Sequence, residues 1–288
     1  MSDGIVWLAS YPKSGNTWLR LFLRNLAEDR SEPADINALD DGSIASARLW
    51  LDEVLGFDTA DLCDDEAERL RPHIYRWTAR HETAATPACR KIHDACVATA
   101  DGEPVTGHGA TRAVLYIVRN PLDVAVSAAE HWGCSLDQAI ACMGDARFAT
   151  PGAGRGLSLQ VRQRLLSWSA HVASWCDAPG LAREVLRYED MLAQPLPTFG
   201  RAAALLGLPT APPQLARALQ HSRFDELARQ EAAAGFRERS AAAPRFFRQG
   251  RSGAWRQRLN AVQAARVVAD HGPTMRRFGY LDAHGNPS

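Results

Sequence analysis

The chain reads as an α/β protein, an open, mainly parallel sheet flanked by helices. Three observations predict this. Short strand-like runs recur at 5–8, 113–118 and 184–187, far apart along 288 residues. Stretches with apolar residues at helical spacing lie between them. The run 113–118 is almost continuously apolar, the kind buried on both faces of a parallel sheet. Strands separated by helices argue for such a sheet, and the length suits one large domain over residues 1–288.

The first strand, Ile5, Val6, Trp7 and Leu8 behind Gly4, runs into Tyr11-Pro12-Lys13-Ser14-Gly15-Asn16-Thr17-Trp18. Trp18, Leu19, Leu21, Phe22, Leu23 and Leu26 then share one broad helical face, with Arg20, Arg24 and Glu28 elsewhere. Strand, tight polar loop and helix make an arrangement that binds phosphate. The first-turn N–H groups point at the anion and the loop backbone forms a concave nest. Lys13 adds a mobile cation, and Ser14 and Thr17 add hydroxyls. In the nucleoside-triphosphatase loop a lysine follows the last glycine and a Ser or Thr holds Mg²⁺. Here the lysine precedes the glycine and Trp18 closes the motif.

Residues 29–41 turn polar and predict a surface connection, and 43–56 and 60–80 carry helical patterning. After 113–118, Asn120-Pro121 stops the strand and starts a helix, Asn as N-cap and Pro at the first helical position. The glycines of 152–156 predict a break. A long helix should follow, with Leu165, Trp168, Val172 and Trp175 inward and His171 packed and hydrogen-bonded between the tryptophans. Short helices rich in Ala and Leu extend to Arg229, 232–253 reads as a loop or lid, and 257–278 is helical again.

Lysine plus arginine equals aspartate plus glutamate, 33 each, so net charge is zero. That disfavours a general binder of nucleic acid or anionic membrane. No apolar run is long enough to span a bilayer, and with a strand expected so soon after Met1 no signal peptide is expected. Cys63, Cys89, Cys96, Cys134, Cys142 and Cys176 are scattered without a C-x-x-C pair, as expected of reduced, mostly packed thiols in the cytoplasm. No His, Cys and acid cluster has metal-ligand spacing.

The octapeptide 11–18, with its lysine before the glycine, resembles the 5′-phosphosulfate loop of sulfotransferases that use 3′-phosphoadenosine 5′-phosphosulfate (PAPS). Two further stretches are similar to that family. In Arg119-Asn120-Pro121-Leu122-Asp123-Val124-Ala125-Val126-Ser127, Arg119 stands at a strand's carboxyl end, where open α/β sheets bind ligands. The resemblance implies that Arg119 and Ser127 hold the 3′-phosphate. Phe246-Phe247-Arg248-Gln249-Gly250-Arg251-Ser252-Gly253-Ala254-Trp255 is similar to the family's R-K-G-x-x-G-x-W segment, which clamps the same phosphate. Gln249 replaces the usual lysine and Ala254 the acid before the tryptophan, with Arg245 and Arg251 as neighbouring cations.

For the adenine, the resemblance implies Trp18 stacking on the base, Tyr188 of Tyr188-Glu189-Asp190-Met191 contacting it, and Ser222 and Phe224 as a hydroxyl–x–Phe pair. Lys91-Ile92-His93-Asp94 resembles the family's K-T-H segment. His93 is thereby the implied general base, a role histidine suits near neutral pH. If 90–94 is extended, Lys91 and His93 project from one face. His108 and His131 are fallback bases.

The implied fold is the P-loop-NTPase-like sulfotransferase fold, and the implied chemistry is in-line sulfuryl transfer. Backbone N–H groups of residues 14–17 and the Thr17 hydroxyl bind the 5′-phosphate, and Lys13 stands on its bridging oxygen. Lys91 supports the sulfonate, and Ser127 sets Lys13 through the 3′-phosphate. Residues 11–18 and 168–175 look more like bacterial than animal members. Asn260 and Ala265 stand where the animal dimer motif has Thr and Glu, so oligomeric state is not implied. The acceptor is expected to be a small-molecule hydroxyl: phenol, aliphatic alcohol, sugar or peptide antibiotic. Its pocket is expected from 43–80, 131–158 and 235–247. The alternatives are a non-catalytic binder of PAPS or its product 3′,5′-diphosphoadenosine (PAP), and a P-loop kinase, which would need Mg²⁺ and the missing Gly-Lys-Ser/Thr.

Overall fold

The computed structural model describes residues 4–39, 44–81, 89–150, 158–239, 244–248 and 250–288. The strands are β1 (Ile5–Ser10), β2 (Cys89–Ile92), β3 (Thr111–Val118), β4 (Ala149–Thr150), β5 (Gln163–Arg164) and β6 (Arg183–Arg187). The helices are α1 (Asn16–Glu28), α2 (Arg48–Leu55), α3 (Asp64–His81), α4 (Pro121–Trp132), α5 (Leu136–Gly144) and α6 (Trp168–Cys176), then α7 (Tyr188–Ala193), α8 (Pro195–Leu206), α9 (Pro212–His221), α10 (Phe224–Ala234) and α11 (Ala261–Arg277). The chain forms two compact units. One comprises 1–11, 40–116 and 146–185, the other 12–39, 117–145 and 186–288.

The first unit is built on the sheet, in the order β2-β1-β3-β6. It is mainly parallel, and β1 pairs with β2 in parallel, Leu8 opposite Lys91. Every residue of β1 is fully buried, as the apolar run predicts for a central strand covered on both faces. Trp7 packs edge-on against Tyr75 of α3 and donates its indole N–H to the Thr111 hydroxyl at 3.0 Å. The long helix expected around Leu165 begins only at Trp168. Leu166 takes a left-handed φ of 58° and the Ser167 hydroxyl caps the helix, so Leu165 lies outside it, beyond the antiparallel β4–β5 pair. The glycine-rich break at 152–156 lies outside the described residues.

The second unit takes up the chain just past β1 and at the last two residues of β3 and of β6. Its apolar centre joins Leu21 of α1 to Ile36, Leu227, Phe236 and Phe247. Helix α4 starts as expected, with the Asn120 side chain accepting the Leu122 N–H at 3.0 Å and Pro121 in the first turn. Among the described residues, no helix is long and apolar enough to cross a membrane. All six cysteines are free thiols, but only Cys176 is buried, and Cys63 is exposed.

Candidate functional site

In the second unit, α1 begins at the loop glycine. Gly15 has a φ of 106°, and no side chain caps the helix. The first-turn N–H groups therefore present the positive end of the helix dipole. Gly15 is required twice over: a Cβ there would lie 2.7 Å from the Tyr188 ring. Ser14, Asn16 and Thr17 are all buried. The Ser14 hydroxyl, the Trp18 indole N–H and Arg119 Nε are buried polar groups with no hydrogen-bond partner among the described residues. Such groups call for a polar ligand.

Arg119 joins three of the sequence motifs. Its Nη1 donates to the Lys13 carbonyl at 2.9 Å and its Nη2 to the Arg251 carbonyl at 3.4 Å. Its guanidinium lies 4.4 Å from the centroid of the Tyr188 ring. Lys13 has a φ of 69° and its ammonium rests 4.2 Å from the Phe246 ring centroid. Trp18 meets Tyr188 and Phe199 edge-on, at 6.0 and 5.1 Å. Burial pushes the Tyr188 phenol above its ordinary pKa, so it is a neutral ring at physiological pH.

Several supporting residues carry no local sequence signal. Asp123, 2 % exposed, accepts from the N–H groups of Gly253 (2.7 Å) and Trp255 (3.0 Å) and from the Ser252 hydroxyl (3.1 Å). In sequence it reads merely as an acid in a helix's first turn. Glu189 accepts the Asn120 N–H at 3.1 Å and the Tyr280 hydroxyl at 2.9 Å, and burial raises its pKa. Glu231 accepts the N–H groups of Phe246 and Phe247, at 2.7 and 2.8 Å. Arg248 is ion-paired with Glu130, which Arg258 shares. A phosphate reaching Arg248 must therefore displace or share that carboxylate.

Ser127 is half-buried on α4. Ser222 is fully buried, and its hydroxyl donates to the Ala218 carbonyl at 2.8 Å. Gln249 lies outside the described residues. Gly250, at φ +56°, lies on the Phe224 ring, where a Cβ would come within 2.3 Å of Cδ2. Gly250→Ala is expected to destabilise the protein by about 1–3 kcal/mol through overpacking, beyond the strain of its positive φ. Thermal unfolding beside Gly207→Ala checks this, because Gly207 has a φ of +70° but open space around it. Equal losses would mean that the ring contact costs nothing.

The first unit holds Lys91 and His93. Strand β2 ends at Ile92, so side-chain alternation does not extend to His93. Its ring is held instead by the Ser10 carbonyl, 2.8 Å from Nδ1. A carbonyl only accepts, so Nδ1 carries the proton, and in the neutral ring the lone pair is on Nε2. That is the form a general base requires. His171 is packed as expected, fully buried, and burial pulls its pKa down to about 4. Within 43–80, one of the segments expected around an acceptor, Trp50 is buried against Tyr75, whereas Trp77 is half exposed and stacked on His81.

The chain resembles known proteins along nearly its whole length. The chain is 24% identical over 261 residues to sulfotransferase 2A6 of Rattus norvegicus, covering 89% of this chain and 79% of that protein. Mouse sulfotransferase SULT7A1, solved with PAP, superposes with a TM-score of 0.59 at 19% identity, over 99% of this chain and 88% of the other. Retinol dehydratase, solved with androsterone and inactive cofactor PAP, superposes at 0.60 with 17% identity, over 96% and 82%. The fold is thus the P-loop-like sulfotransferase fold. Residues 3–279 match the sulfotransferase domain family, and the chain belongs to that family.

Proposed function

We propose that the second unit's loop 13–18, with Arg119, Tyr188, Ser222, Phe224 and 248–250, binds PAPS, and that the protein transfers its sulfuryl group to a small-molecule hydroxyl. One observation carries the reading: Arg119 contacts the Lys13 carbonyl, the Tyr188 ring and the Arg251 carbonyl. The buried Ser14 hydroxyl and Trp18 indole supply unclaimed hydrogen-bonding groups for the phosphate and base. The family match runs through both units, which supports one domain over 1–288. Six free thiols suit a cytoplasmic location.

When bound, PAPS supplies the sulfuryl group and, as PAP, the leaving group. His93 Nε2 takes the acceptor's hydroxyl proton as the new oxygen–sulfur bond forms and the sulfur–bridging-oxygen bond breaks. Lys13 neutralises the charge that gathers on the bridging oxygen, and Lys91 supports the sulfonate. N–H groups of 14–17 and the Thr17 hydroxyl hold the 5′-phosphate. Arg119, Ser127 and Arg248 hold the 3′-phosphate, Arg by its planar fork. Trp18 and Tyr188 present aromatic faces to the adenine. Sulfuryl transfer, like phosphoryl transfer, leaves the protein mainly to position groups and stabilise charge.

Calorimetric titration of PAP into the protein with EDTA present tests the site. Binding without metal, and none of plain AMP, is expected. Binding only of ATP with Mg²⁺ would promote a kinase, and no binding at all would overturn the reading.

A further inference from the structure

His93 is gripped through its backbone as well as its ring. Its carbonyl lies 3.0 Å from His171 Nε2, and the next carbonyl, Asp94, accepts the Trp175 indole N–H at 2.9 Å. His171 and Trp175 are four residues apart on α6 and so share one face. The Asp94 carboxylate is itself held by both terminal nitrogens of the fully buried Arg71, at 2.9 and 2.6 Å. Arg71 Nε reaches the Tyr75 hydroxyl at 2.8 Å, and that hydroxyl donates to the Ala45 carbonyl at 2.6 Å. The two residues after β2 are thus anchored from α3 and from α6.

The carbonyl partners also dictate tautomers. His171 Nε2 faces a carbonyl, so it carries the proton, and Nδ1 accepts from the Tyr116 hydroxyl at 2.9 Å. His93 takes the opposite form, Nδ1–H, because Nδ1 faces the Ser10 carbonyl. Two neighbouring histidines thus turn opposite ring nitrogens to backbone acceptors, so the neutral rings are Nδ1–H at His93 and Nε2–H at His171. Free histidine favours Nε2–H, a form in which His93 could not take a proton at Nε2.

We propose that His171, backed by Tyr116, is a positioning residue for sulfuryl transfer: by holding the His93 carbonyl it keeps His93 Nδ1 on Ser10 and the lone pair on Nε2. The inference rests on the reading of His93 as the base. His171 also meets the Tyr11 ring edge-on at 5.3 Å, and it acts on the reaction through its hold on the His93 carbonyl. Burial of its ring keeps it neutral, so the donor at Nε2 persists across the physiological range.

The test is a long-range ¹H–¹⁵N spectrum of the full chain labelled in histidine nitrogen, at alkaline pH, with signals assigned by His93→Gln and His171→Phe. The wild type is expected to show His93 as Nδ1–H and His171 as Nε2–H. His171→Phe keeps a ring but loses the donor, and is expected to move His93 towards Nε2–H with PAP affinity unchanged. His171→Gln, whose amide can donate, is expected to restore much of the Nδ1–H form. Tyr116→Phe is the milder second variant, should His171→Phe fail to fold. Transfer from PAPS to 2-naphthol is expected to fall about a hundredfold in His171→Phe, the cost of a misplaced group. A wild-type His93 in the Nε2–H form, or a His93 signal unmoved in both variants, overturns the inference. Transfer that survives His93→Gln overturns instead the reading of His93 as base, and the tautomer spectra separate the two failures.

Discussion

Lys13→Ala is expected to slow turnover on the order of a hundredfold to a thousandfold while leaving PAP binding nearly intact. The asymmetry follows from where the two parts of the residue are held. The Lys13 backbone is fixed at a left-handed φ of 69°, with its carbonyl on Arg119. Alanine keeps a Cβ, so that backbone strain and the Arg119 bond persist. What disappears is the ammonium, which rests over Phe246 within the second unit. Its work is on charge that develops only as the bridging oxygen leaves, so its loss falls on kcat. Removing one such stabilising group typically costs about 3–4 kcal/mol. Single-turnover rates beside PAP titrations separate the two effects. A fall of less than about tenfold would remove Lys13 from the transition state. Lys13→Arg should recover part of the rate, since it restores charge over the ring but spreads it over a plane.

Arg119→Ala is expected to have the largest effect on PAP affinity, a loss of about tenfold to a hundredfold or more. A charge-assisted hydrogen bond is worth about 1.5–3 kcal/mol, and 1.4 kcal/mol is tenfold in a dissociation constant. The substitution also releases the Lys13 carbonyl and uncovers the Tyr188 ring, so the loop loses a strut together with the ligand cation. Arg119→Lys distinguishes these roles. An ammonium supplies charge to a phosphate but cannot donate in plane to two carbonyls while stacked on an aromatic ring. Arg119→Lys should therefore recover only a minor share of the affinity, read by the same titration. Wild-type affinity in Arg119→Ala would overturn the assignment of the 3′-phosphate site.

What could be read from local pattern came out close to the fold. The continuous run at 113–118 lies within β3, Asn120-Pro121 caps α4, and the polar octapeptide leads into α1 at Asn16. These signals are short-range: burial periodicity, a capping oxygen, a ring with fixed φ. Where two local preferences competed, sequence alone misjudged the outcome. Leu165 carries the helical period of α6, but the Ser167 cap and the left-handed Leu166 start the helix three residues later. In the same way Ile92 ends β2, and His93 owes its placement to Ser10 and α6, not to strand alternation.

By itself the sequence determined the α/β class, the strand–loop–helix with its lysine before the glycine, and the order of motifs that marks the family. Tertiary structure alone decided what connects them. Arg119 meets a carbonyl 106 residues away, Asp123 ties down an N–H 130 residues away, and His171 grips His93 across 78 residues. No spacing encodes such pairs. A hydrogen bond needs its partners within about 3 Å, and over such separations only the packing of the intervening elements sets that distance.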